Sequence, residues 1–133
     1  MTAIRLRRLA PLLVMALIHF CSSLPGTPGS GGVLPGIPSA LHNLLHIPAY
    51  ALLAASWQLA LPARRSGRAL LLVGLLTVGY GVVDEWHQSF VPGRECSAAD
   101  LLRDAIGAAV GIFAMHLITG RHRPSGPERT TAR

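Results

Sequence analysis

Apolar residues fall in four long blocks, Leu9 to Leu24, Leu41 to Leu61, Ala69 to about Phe90, and Leu101 to Thr119, with polar punctuation between them. Runs of that length carry no continuous polar face for water, so each predicts a helix buried on all sides, in a core or in a bilayer. A helix crosses a hydrocarbon core with roughly 20 residues; the last three blocks reach that length and the first falls short. Pro92-Gly93 fits a stop and turn after the third block, and Ser97-Ala98-Ala99-Asp100 fits a capping box that opens the fourth. Pro48 lies inside the second block, where its missing N–H predicts a kink and a free carbonyl at Leu44 beside His46. The stretch from Pro25 to Pro38 is a Gly/Pro-rich connector. The segment 121–133 has almost nothing apolar to bury, which predicts a disordered basic tail after one membrane domain over residues 1–120.

Composition excludes an ordinary soluble domain: half of the 133 residues are hydrophobic and 14% are charged, with a mean hydropathy of +0.44. A net charge of +6 comes from twelve arginines without a lysine. They do not gather into a nucleic-acid patch. Arg5, Arg7 and Arg8, then Arg64, Arg65 and Arg68, then Arg121, Arg123, Arg129 and Arg133 each flank an apolar block. Under the positive-inside rule, both termini and the 62–68 loop are cytoplasmic, and the 25–38 and 91–97 loops face outward. The expected fold is all-α, an antiparallel bundle of four transmembrane helices, N-in and C-in. The basic start and short first block, ending in Cys21-Ser22-Ser23, also fit a secretory signal peptide. Its removal would leave the other three spans in the same orientation.

Charge changes this picture most in one place. Five of the six carboxylates lie between Asp84 and Asp104, and charged groups at membrane depth are tolerated only when they pair, line a cavity or do chemistry. Fifteen helical steps from Ala69 bring Asp84 about 22 Å into a core of about 30 Å. His46 and Tyr50, four residues apart, come to the same outer level on the second helix, as do Arg103 and Asp104 on the fourth. Gln88 follows Glu85 by three and Asp84 by four, a same-face spacing. Asp100, Asp104, Gly107 and Gly111 follow a helical face, a polar head above a small-xxx-small groove expected to admit the third helix.

Taken together, His46-Ile47-Pro48-Ala49-Tyr50, Asp84-Glu85, Gln88, Phe90-Val91-Pro92-Gly93-Arg94, Ser97, Asp100 and Gly107 to Gly111 resemble the VanZ-like family of bacterial membrane proteins, over about residues 10 to 116. The resemblance implies a four-helix protein of the bacterial plasma membrane and cell envelope, in a family whose best-known member gives low-level resistance to teicoplanin. It maps the family's functional positions onto His46, Tyr50, Glu85, Gln88, Arg94 and Asp100. The chain departs from the family at His42-Asn43, where an Asp-Lys pair is common, and at Asp104, often an asparagine.

The expected site is an outward-facing polar pocket built by the second, third and fourth helices. In it Arg94, paired with Glu85 or Asp100, and His46 hold an anionic head group of a membrane lipid or a lipid-linked envelope precursor. Tyr50, Asp84, Gln88, Asp100 and Asp104 shape the binding surface. In the alternative, Glu85 and His46 are the general acid and base of an intramembrane enzyme. His42 and His46 stand one turn apart with Asp84 and His87 near, a spacing usable by a metal. Only His46 matches the family pattern, however, and His87 points off the face of Glu85, so no metal and no cofactor are expected. Cys21 and Cys96 share the outer side, where a disulfide is compatible. His19 and His116 read as packing or edge residues, and Trp57 and Trp86 as interfacial aromatics.

Overall fold

The computed structural model describes residues 2–26, 41, 43–61, 66–94 and 96–120. The 27–40 part of the first connector, His42, residues 62–65 and the tail lie outside them. Among the described residues there are four helices and no strand: α1 Thr2–Ser22, α2 His46–Ala60, α3 Gly67–Gln88 and α4 Ala98–Gly120. The expected all-α class and helix order are observed. Helices α3 and α4 are each long and apolar enough to cross a membrane. The other two are not, for separate reasons. α1 holds Arg5, Arg7 and Arg8 within its first turns, and α2 has 15 residues, a length of about 22 Å.

The shortness of α2 corrects the expectation of a kink. Pro48 is the third residue of the helix, where a missing N–H removes no helical bond because the first N–H groups have no partner within the helix. The Leu44 carbonyl is not free either, since it accepts from the Ile47 N–H at 3.2 Å. α3 begins two residues before the apolar block, at a cap the block did not signal: the Ser66 side chain accepts from Ala69 N at 3.2 Å, an N-cap bond. It ends in the expected turn, with Gly93 at φ +74°, a backbone state suited to glycine. This turn is stitched to the end of α1 by a bond from Gly26 N to Pro92 O at 2.9 Å. The two backbones press so closely that a Cβ on Gly93 would lie 2.7 Å from Gly26 O.

The glycine groove admits a different helix from the one expected. A Cβ on Gly107 would lie 2.5 Å from Ile47 O, and one on Gly111 would meet Ala51 O. The groove therefore receives α2, not α3, and α2 against α4 is the most extensive helix contact. α3 meets α4 higher up, through Gly81 against Asp104.

The interior is small and mixed. Ile18, Tyr50 and Leu53 form one apolar cluster, and Ala54, Val73 and Ala108 another. Trp57 packs against both, half-buried, and Trp86 is 66% exposed. Among the described residues, nine polar or charged residues are buried beside a similar number of apolar ones, while leucine, valine and phenylalanine cover the exterior. A surface more apolar than the interior is stable only in an apolar solvent, which is the arrangement of a membrane protein.

Candidate functional site

The polar centre sits where the start of α2, the end of α3 and the start of α4 meet. His46, the first residue of α2, approaches Asp104 of α4 with Nδ1 2.8 Å from Oδ1. Asp104 is fully buried and its second oxygen, Oδ2, is turned onto Gly81, where a Cβ would lie only 2.7 Å away. The partner of His46 is thus Asp104, not Glu85 as expected. One turn along α2, the Tyr50 ring lies parallel to the His46 ring, with centroids 6.0 Å apart and planes at 3°.

Glu85 ties the end of α3 to the start of α4: its Oε2 accepts from the Ser97 N–H at 2.7 Å. That bond replaces half of the expected capping box, in which the Asp100 carboxylate would have taken the same N–H. Asp100 instead pairs with Arg103, three residues on along its own helix. Gln88 donates from Nε2 to Asp84 Oδ2 at 3.0 Å, the same-face contact expected. His87 points away from Glu85, toward α1, with Nε2 3.0 Å from Ser23 Oγ and its ring 4.3 Å from that of His19.

Arg94 departs from expectation. The sequence predicts a pair with Glu85 or Asp100, yet among the described residues Arg94 has no ion pair, and its Nε is buried without a hydrogen-bond partner. Asp100 is held by Arg103, and Glu85 is tied to the Ser97 N–H through one of its two oxygens. Burial pulls the guanidinium pKa below its usual value, opposed by Asp84 and then by Asp100 and Glu85.

The polar residues divide between two compartments. A cavity of about 350 Å³ opens between α1, α2 and α3, walled by apolar residues such as Leu17, Ala49 and Leu52; His46, Tyr50, Asp84, Gln88 and Arg94 also line it. Glu85, Asp100 and Asp104 do not. They lie behind it, and His46 borders both. In the buried compartment, one ligating atom from each of His46, Glu85 and Asp104 lies within 4.8 Å of the others. Asp84 Oδ1, Glu85 Oε1, Asp104 Oδ2 and the Tyr50 hydroxyl are buried with no hydrogen-bond partner.

Sequence reasoning missed several participants. Arg103 as the partner of Asp100 was within reach through the i,i+3 spacing. The Ser97 N–H and the bond from the Tyr80 hydroxyl to Met15 O at 2.7 Å left no signal in composition. Cys21 and Cys96 are both free and exposed. The family described as VanZ/LLP1 matches residues 7–119. No curated protein and no solved structure matches the chain.

Proposed function

The chain belongs to the VanZ/LLP1 family, and on that premise we propose that it is a four-span protein of the bacterial plasma membrane that binds an anionic lipid-linked precursor of the cell envelope. The observation that carries this reading is Arg94: a half-buried guanidinium that pairs with no carboxylate among the described residues, on a cavity whose walls are otherwise largely apolar. Apolar walls suit an acyl or isoprenoid chain, and a guanidinium suits a phosphate or carboxylate head, which it binds with two parallel hydrogen bonds. Gln88, held by Asp84, stands on the same lining and supports recognition of a polar head. Glu85 and Asp104 position the frame from behind. Through the family, this binding links the chain to glycopeptide susceptibility, with teicoplanin the first drug to assay.

The test is mass spectrometry of lipids that co-purify with the full chain from native bacterial membranes. The wild-type protein should enrich a phosphate- or carboxylate-headed lipid over its membrane proportion, and Arg94→Ala should lose it while still inserting. Recovery of bulk phospholipids in membrane proportions by both proteins would refute the reading. In cells, Glu85→Ala and Arg94→Ala should remove any shift in teicoplanin susceptibility, while Trp86→Ala, on the exposed surface, should not.

One observation favours a second reading, an intramembrane enzyme with Glu85 and His46 as acid and base. His46 is oriented by a buried carboxylate, Asp104, and Glu85 lies within 4.8 Å of both, the base-plus-orienting-group arrangement of acid/base sites. Glu85→Gln separates the readings. An enzyme loses activity while its ligand still binds, whereas a binding protein changes the two together.

A further inference from the structure

We propose that His46, Glu85 and Asp104 form a site for one divalent transition-metal cation of the zinc class, held between α2, α3 and α4. The ion itself is the ligand, so the argument is independent of the lipid reading.

Geometry comes first. With metal–ligand bonds of about 2.0–2.2 Å, two ligands of one ion stand at most about 4.4 Å apart. The three candidate atoms lie within 4.8 Å of one another, so a contraction of a few tenths of an ångström closes the cage. They come from three helices, so one ion would join elements that a single hydrogen bond joins only in pairs.

Unsatisfied atoms supply the independent observation. Glu85 is 3% exposed and Asp104 is fully buried, and each keeps one oxygen, Oε1 and Oδ2, with no partner. Asp104 Oδ2 is turned onto α3 at Gly81, one helical turn before Glu85 and on the same face. Room for that approach exists because Gly81 has no side chain. An orphaned carboxylate oxygen in a buried setting is strongly unfavourable, and a cation would satisfy both at once.

Charge points the same way. Asp84, Glu85 and Asp104 are buried together, and the arginines near them are Arg94, half-buried, and Arg103, already held by Asp100. A divalent ion bound through a neutral imidazole, with Arg94, would bring the three carboxylates to neutrality. The donor set selects the ion class. One imidazole and two carboxylates suit zinc, manganese or iron, whereas calcium seeks six to eight oxygens and magnesium keeps most of its water. Three protein ligands would also leave a position open, the pattern of reactive sites more than of purely structural ones.

The experiment uses the untagged full chain in detergent, stripped with a chelator and titrated with Zn²⁺ alone, with metal content and calorimetry as readouts and Co²⁺ absorption as a report on ligand type. The expected result is one ion per chain and a Co²⁺ spectrum without a thiolate band. Glu85→Gln and Asp104→Asn should each weaken binding at least about tenfold, the loss known even for outer partners of a ligand. The double variant His19→Ala/His87→Ala, which removes the other histidine pair, should bind as the wild type does. Infrared spectroscopy of the wild type decides the matter should those carboxylate variants misfold: a protonated-carboxyl band in the stripped protein should vanish as Zn²⁺ is added. Absence of stoichiometric binding, binding that follows His19 and His87, or a protonated-carboxyl band that persists at saturating Zn²⁺ would overturn the proposal.

Discussion

Asp104 decides the arrangement of the polar centre residue by residue. It is fully buried, with one oxygen on His46 Nδ1 and the other against Gly81, so whatever moves it moves the histidine. Gly81→Ala would place a Cβ 2.7 Å from Oδ2 and 3.3 Å from Asp104 Cβ, displacing the carboxylate from His46. We predict that this variant inserts normally and loses about 1–3 kcal/mol of stability, the range for leaving a buried polar group without its partner. Thermal unfolding in detergent checks it, and a midpoint equal to wild type would show that the pair contributes nothing. At this scale the sequence identified the participants better than their partners. Same-helix neighbours such as Asp84 and Gln88 are legible because helical spacing alone brings them together. The pairing of His46 with Asp104, and of Asp100 with Arg103 and not Arg94, depends on how three helices are rotated about their axes, which spacing within each does not specify.

Between elements, backbone proximity explains which helices pair. The α2–α4 seam rests on Gly107 and Gly111, where a Cβ would run into the carbonyls of Ile47 and Ala51. Small residues permit such contact where packing drives association in a bilayer. Gly107→Val should therefore separate α2 from α4, carrying His46 away from Asp104, and should sharply lower the yield of folded protein on size-exclusion chromatography. Gly74→Ala is the contrasting case, with nothing within 4 Å of the added carbon. It should be neutral or stabilising by about 0.5–1 kcal/mol, the usual gain of alanine over glycine in a helix. Equal damage from both substitutions would contradict the seam. The motif Gly107-xxx-Gly111 was legible as a close-packing signal, but not the helix it receives. That choice followed from Ala51 and the short α2, whose start at His46 sets its first turns against α4.

For the whole molecule, the arginine groups predict an orientation in the membrane. We predict that Cys96, exposed in the turn before α4, reacts with a membrane-impermeant thiol reagent on intact cells in a Cys21→Ser background. Ser66→Cys, in a chain lacking both native cysteines, should react only after the cells are opened. Labelling of position 66 from outside would reverse the assigned topology.

The chain's own residues determined that the protein is helical, where α3 and α4 lie, that charged groups gather at one end of the bundle, and the family to which it belongs. These are consequences of hydropathy, helical period and local turn chemistry, all of which act between neighbours in sequence. The tertiary structure alone decided that the expected single pocket is two compartments joined at His46, with the apolar cavity on one side and Glu85 and Asp104 behind it. It also decided that Glu85 takes the Ser97 N–H and that Asp100 turns to Arg103, so that Arg94 pairs with no carboxylate among the described residues. Contacts between distant residues depend on interhelical distance and rotation, and those are set by the summed packing of small residues along the seams.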